Sequence, residues 1–207
     1  MFRAVLVVLL SVWCVSASAV APEPPILVLG DSLSAAHGLA PKDGWVALLD
    51  RRLQEASMPR PIVNASISGE TTAGGLARLP ALLAEHRPAL VIVELGANDG
   101  LRGLPLAGIR VNLAAMLKAI RSAKARTLLV GIELPVNYGP QYRDGLRSLY
   151  RGLADEFNVP LVPFLLDGVA LDPALMQDDG LHPKVAGEPK VLDNVWSVLA
   201  PVLKDLR

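Results

Sequence analysis

Apolar positions along the chain follow two alternating rhythms. Short continuous runs occur at Ile26-Leu27-Val28-Leu29-Gly30, Pro61-Ile62-Val63-Asn64-Ala65, Ala89-Leu90-Val91-Ile92-Val93-Glu94-Leu95-Gly96, Thr127-Leu128-Leu129-Val130-Gly131-Ile132 and Pro160-Leu161-Val162-Pro163. Each is too short for a helix and reads as a strand. The third is apolar on both faces for most of its length, as a central parallel strand must be when helices cover both sides of the sheet. The two prolines of the last run place it at a sheet edge, where a missing ladder N–H is tolerated.

Between these runs the spacing changes to three and four. Trp45, Leu48, Leu49 and Leu53 share one helical face. So do Ile109, Leu113, Met116, Leu117 and Ile120, then Leu146, Leu149, Tyr150, Leu153 and Phe157, and last Val191, Leu192, Val195, Trp196 and Leu199. Leu76 to Ala84 is helical as well, with Pro80 starting a new turn or kinking it. Strands alternating with helices predict an α/β fold: a parallel sheet joined by right-handed crossovers, with helices on both faces. No repeat, low-complexity tract or second-domain boundary interrupts the pattern. In such sheets ligands bind beyond the carboxyl ends of the strands, so the chemistry is sought there.

The N-terminus follows another pattern. Arg3 supplies a positive charge, and Ala4 to Val15 is an unbroken apolar run. That run fits the ~7–15 residues of a signal-peptide core and falls short of the ~20 that span a bilayer. Ala17-Ser18-Ala19 is a small-x-small cleavage site and Ala19-Val20-Ala21 a second. Residues 1–21 therefore read as a signal peptide, with cleavage near Ala19 or Ala21, and 22–207 as the exported domain, periplasmic or secreted from a bacterium. The single cysteine, Cys14, falls in the leader, so the mature chain has no disulfide, thiolate metal site or cysteine nucleophile. Lys plus Arg equals Asp plus Glu at 20 each. That balance gives no electrostatic footprint for nucleic acid.

Four polar clusters lie just past strands or near the C-terminus. Gly30-Asp31-Ser32-Leu33-Ser34 follows the first strand. Ser32 is either a nucleophile, with a helix N-terminus aiming N–H groups at developing charge, or a helix cap. In the cluster after the second strand, Gly69 either presents a bare N–H to a ligand or simply makes a turn. After the third, Asn98 in Glu94-Leu95-Gly96-Ala97-Asn98-Asp99-Gly100 either donates its amide to an oxyanion or belongs to a turn. The fourth is Gln177-Asp178-Asp179-Gly180-Leu181-His182-Pro183. Of the three histidines, His86 sits near a helix end and His37 is placed for a pocket rim. His182 has Asp179 three residues before it, with Gly180 between to let the loop fold back. One imidazole nitrogen then faces Asp179 and the other is left for a serine. Asp178 is the competing orienter. Each cluster is weak alone, but together they supply a nucleophile, a base, an orienter and three oxyanion donors.

These blocks resemble those of the SGNH (GDSL) hydrolases, in particular the bacterial thioesterase I, lysophospholipase L1 and arylesterase group. Gly30-Asp31-Ser32-Leu33 is similar to the first block, Gly69 in Ser68-Gly69-Glu70 to the second, Gly96-Ala97-Asn98-Asp99 to the third and Asp179-Gly180-Leu181-His182 to the fifth. The longer stretches Asn64–Gly69, Leu95–Gly103 and Met176–Pro183 also look like this subgroup. Ala36-His37-Gly38 departs from relatives that carry an aromatic residue there.

The resemblance implies a flavodoxin-like three-layer α/β/α sandwich with a five-stranded parallel sheet, and an SGNH hydrolase domain over 22–207. It implies Ser32, His182 and Asp179 as catalytic residues, with Ser32, Gly69 and Asn98 forming the oxyanion hole. It implies an acyl pocket bordered by Leu101, Leu104, Leu134 and Pro135, and no metal or organic cofactor. The expected activity is hydrolysis of carboxylic esters and thioesters (aryl esters, acyl thioesters, lysophospholipids) through an acyl-enzyme. The partner is the small-molecule substrate, with transient lipid contact and no protein partner. The alternatives are a carbohydrate O-acetylesterase of the same superfamily and a lipid-binding protein without turnover.

Overall fold

The computed structural model describes residues 23–206. The signal-peptide reading, residues 1–21, lies outside them, as do Pro22 and Arg207. Five strands, β1 (Ile26–Gly30), β2 (Ile62–Asn64), β3 (Leu90–Glu94), β4 (Arg126–Val130) and β5 (Leu161–Val162), form one sheet in the order β2-β1-β3-β4-β5. Every pairing is parallel. The order is that of the flavodoxin-like doubly wound sheet, and the direction of winding reverses between β1 and β3.

Among the described residues six α-helices complete the layers: α1 (Trp45–Glu55), α2 (Thr72–His86), α3 (Ala97–Leu101), α4 (Leu106–Ser122), α5 (Pro140–Phe157) and α6 (Glu188–Lys204). Successive strand side chains enter opposite layers, because a strand alternates its faces. Ile26 and Val28, Leu90 and Ile92, and Leu128 and Val130 pack with α1 and α6. Leu27 and Leu29, Val91 and Val93, and Leu129 pack with α2, α4 and α5. The central strands are therefore apolar over most of their length because both faces are covered, with Glu94 at the end of β3 and Arg126 and Thr127 at the start of β4 the exceptions. Among the described residues no helix is long and apolar enough to cross a membrane.

The edge strands are shorter than the apolar runs suggest. β5 keeps two residues between Pro160 and Pro163, and β2 keeps three, none of them fully buried. Pro80 lies inside α2, which continues through it, and Thr71 caps the start by accepting the Gly74 N–H at 3.2 Å.

α1 and α6 are tied at their beginnings. Glu188, 1 % exposed, accepts the Trp45 N–H on Oε2 at 2.7 Å. Gly44 offers no side-chain cap there, so Glu188 satisfies an N–H that the helix itself cannot. Burial pushes the Glu188 carboxyl up to about 7, against the pull of the Trp45 N–H. Between about 4.5 and about 7 the native state keeps a proton that the unfolded chain releases. Stability therefore falls as pH rises through that window and levels off above it. Glu188→Gln keeps the acceptor and removes the titration. Its expected effect is a gain of about 2–3 kcal/mol relative to wild type at pH 8, shrinking to little at pH 4.5. Urea unfolding at the two pH values measures it, and an equal difference at both would contradict the linkage.

Candidate active site

The site is assembled at the carboxyl ends of β1 and β3, where the winding reverses. Ser32 follows β1 by two residues. The segment after it is a succession of turns rather than a regular helix. Ala35 N–H donates to the Asp31 carbonyl and His37 N–H to the Ser32 carbonyl, while Asp31 Oδ1 accepts the Leu33 N–H at 3.0 Å. The helix N-terminus expected at Ser32 is thus replaced by a side-chain-stabilised turn, and the amides there act as individual donors without a helix dipole behind them.

The other elements converge on this turn. Asn64, at the end of β2, donates its amide to the Ser34 carbonyl at 2.8 Å, and Ile67 N–H donates to the Gly30 carbonyl at 3.1 Å. Gly69 follows in a left-handed conformation, φ 81°, which glycine adopts without strain. It is held from the β3 side, where Arg102 donates to its carbonyl at 3.2 Å. Nearby, buried Asp99 accepts the Thr72 N–H at 2.8 Å and the Thr72 hydroxyl at 2.5 Å. Asn98 lies in the first turn of α3, and its amide donates to Asp31 Oδ2 at 3.0 Å. The second amide hydrogen of Asn98 is uncommitted. The N–H groups of Ser32 and Gly69 meet no acceptor among the described residues.

The C-terminal loop brings the histidine. Met176 and Pro183 form an antiparallel bridge, and Gln177 N–H donates to the His182 carbonyl at 2.7 Å. Gln177 also donates its amide to the carbonyls of His37 and Pro183, stapling the loop to the turn after β1. Asp179 Oδ1 accepts the N–H groups of Leu181 at 2.9 Å and His182 at 3.1 Å, and its Oδ2 lies 2.7 Å from His182 Nδ1. His182 Nε2 lies 2.8 Å from Ser32 Oγ. Partial burial would raise the Asp179 carboxyl, but the hydrogen bonds from His182 and from the two backbone N–H groups outweigh it and hold it at about 2. A charged carboxylate accepts only, so Nδ1 carries the imidazole hydrogen and Nε2 is left to accept from Ser32. Asp178, the alternative orienter, is exposed. His37 rests against His182 with ring centroids 4.4 Å apart, and His86 is remote, beside Glu85 at the end of α2.

Beside Ser32 opens a cavity of about 150 Å³ whose walls include Leu101, Ile132, Leu134, Pro135, Phe164 and Leu166. Of the four residues expected there, Leu101, Leu134 and Pro135 line it and Leu104 does not. Leu104 is 39 % exposed, because α3 ends at Leu101 and the chain turns outward, with Leu104 N–H donating to the Asp99 carbonyl. Phe164 and Leu166, just past β5, escaped the sequence reading. Their position after a strand's carboxyl end was the available signal. Among the described residues no group of three or more His, Asp or Glu side chains is placed to hold a metal ion.

The chain matches the GDSL-like Lipase/Acylhydrolase family over residues 28–188. It is 53 % identical to the esterase TesA of Pseudomonas aeruginosa over 86 % of this chain and 89 % of that one. It is 45 % identical to the thioesterase 1/protease 1/lysophospholipase L1 of Escherichia coli strain K12, over 86 % of this chain and 84 % of that one. Among solved structures it is similar to the psychrotrophic esterase EstA of a Pseudoalteromonas species, inhibited by monoethylphosphonate. That structure has a TM-score of 0.83 and 41 % identity, covering 88 % of this chain and all of the other.

Proposed function

Because the chain belongs to the GDSL-like lipase/acylhydrolase family, we propose that this carboxylic ester and thioester hydrolase works through an acyl-enzyme on Ser32. His182 Nε2 takes the hydroxyl proton as Ser32 Oγ attacks the acyl carbonyl. Asp179 holds the imidazole and stabilises its charged form. The tetrahedral oxyanion is received by the N–H groups of Ser32 and Gly69 and the uncommitted hydrogen of Asn98. As the intermediate collapses, His182 returns the proton to the leaving alkoxide or thiolate. Water, deprotonated by the same nitrogen, then attacks the acyl-enzyme and releases the acid.

The observation carrying this reading is the unbroken line from Asp179 Oδ2 through His182 to Ser32 Oγ, with contacts of 2.7 and 2.8 Å. The apolar cavity beside Ser32 suits an acyl chain better than a sugar, which favours aryl esters, acyl thioesters and lysophospholipids over an acetylated glycan. Residues 1–21 act as a signal peptide, leaving 22–207 as the hydrolase domain in the periplasm or outside the cell, in contact with soluble or lipid esters.

One preparation tests the proposal. Protein recovered from the periplasmic fraction is expected to have an intact mass that places the cut near Ala19 or Ala21. It is also expected to take up one fluorophosphonate on the peptide containing Ser32. In a chain-length series, esters and thioesters with several acyl carbons should be turned over faster than acetyl esters. Labelling elsewhere, or a preference confined to acetylated carbohydrate, contradicts it.

A further inference from the structure

Two carboxyls that touch none of the reacting atoms lie directly beneath the nucleophile turn. Asp31 and Glu94 are both 0 % exposed. They stand at the ends of adjacent strands, where Gly30 pairs with Glu94. Glu94 Oε2 accepts the Asp31 N–H at 3.2 Å and the Ser34 hydroxyl at 2.7 Å. Asp31 in turn accepts the Leu33 N–H at 3.0 Å and the Asn98 amide at 3.0 Å. The residues flanking Ser32 on both sides, and the Asn98 side chain from α3, are therefore all anchored to this pair. The fit leaves no room at Gly30, where a Cβ would come within 2.7 Å of both Glu94 Oε2 and Ser34 Oγ.

The charge state follows from the surroundings. Glu94 Oε1 has no hydrogen-bond partner among the described residues, an arrangement that a buried anion does not tolerate. Burial, with the neighbouring Asp31 charge adding to it, pushes Glu94 well above the usual carboxylate range. Burial also raises Asp31, to about 6, against the pull of Leu33 N–H, His182 and Asn98. Shared burial thus holds both carboxyls above the ordinary range, so that their titration belongs to the pair, and Asp31 Oδ2 faces the Asn98 amide.

We propose that Glu94 is a positioning residue for the acyl transfer, fixing through Asp31 and Ser34 the turn that presents the Ser32 N–H and, through Asp31, the aim of the Asn98 amide. The inference rests on Ser32, Gly69 and Asn98 being the oxyanion donors. Donors of this kind act on charge that develops only in the transition state, so loss of aim lowers kcat and spares KM.

The test compares three variants of the mature enzyme on a soluble p-nitrophenyl ester at pH 8, with thermal melts to confirm folding. Glu94→Gln keeps an oxygen acceptor for both bonds and places its nitrogen where the unpartnered Oε1 stood, so kcat stays within about threefold of wild type. Glu94→Asp draws the carboxyl back by one methylene and is expected to lose about 10–100-fold in kcat with KM within about twofold, part of the ~10²–10³ that a missing donor costs. Ser34→Ala removes one anchor without touching the carboxyl, and should lose about 3–10-fold in kcat alone. An unchanged kcat in both Glu94→Asp and Ser34→Ala, or an equal loss in Glu94→Gln and Glu94→Asp, overturns the inference. A Ser32→Ala control separates the two claims. Full turnover there sinks the acyl-enzyme itself, whereas its loss there beside an unaffected Glu94→Asp sinks only the positioning role.

Discussion

Ser32→Ala is expected to lower kcat for esters and thioesters by about 10⁴–10⁶-fold, the range typical of removing a triad nucleophile. Its stability should stay within about 0.5 kcal/mol of wild type. The two halves of this expectation have separate causes. The Ser32 hydroxyl is partly exposed, and its described hydrogen-bond contact is with His182 Nε2, so little packing is lost. The turn that carries it is held by Asp31 and Glu94, which the substitution does not touch. Chemically, the variant retains donors and a cavity but has no atom to form the acyl bond. The remaining rate reflects water attacking within an intact oxyanion site, and a His182→Ala exchange added to it should cost almost nothing more, because nucleophile and base act as a unit. Steady-state kinetics on the two single variants and the double variant check both points. Multiplicative losses would show that Ser32 and His182 do not share one step.

What local pattern reveals here depends on what fixes each element. β1, β3 and β4 are legible because two layers of helices force nearly all of their interior positions to be apolar, and the 3–4 spacing of α4, α5 and α6 records the one face each buries. The edge strands shrink where prolines remove donors, which sequence places but does not measure. α3 was hidden because Gly-Ala-Asn-Asp-Gly has turn composition; it forms where Gly96 adopts φ 124° and Asp99 is buried under Thr72. The pairing of Asp179 with His182 spans three residues and follows from local loop geometry, so spacing alone pointed to it. The approach of His182 to Ser32 crosses 150 positions. It depends on the Gln177 staple and on the sheet order, which no local window contains. Phe164 and Leu166 lie in an aperiodic stretch after a two-residue strand, and the resemblance puts Leu104 at the pocket where this chain turns away in space. Glu94 closes an apolar strand as its one charged residue, but no local pattern marks its role, because its contact with Asp31 needs the β1–β3 register.

Asp179→Asn should cost about 10³–10⁴-fold in kcat without loosening the loop, and the reason lies in which nitrogen holds the imidazole hydrogen. Wild-type Asp179 is an anion throughout the working pH range, held at about 2 by hydrogen bonds that outweigh its partial burial. It therefore requires a donor at Nδ1. An asparagine keeps one oxygen for the N–H groups of Leu181 and His182, so the backbone stays closed. Its amide then faces Nδ1 as a donor. The hydrogen moves to Nε2, which points at Ser32 Oγ, and the nitrogen that should accept the serine proton can no longer do so. Because the defect is one of tautomer, raising the pH from 6 to 9 should not restore the rate, whereas a simple loss of imidazole basicity would be recovered at alkaline pH. Asp179→Ala, which also releases the two N–H groups, should add a lower melting temperature to the kinetic loss. Asp178→Asn, one residue earlier and exposed, should leave kcat, KM and stability at wild-type values. If the two asparagine variants exchanged their behaviour, the carboxylate that orients His182 in solution would be Asp178.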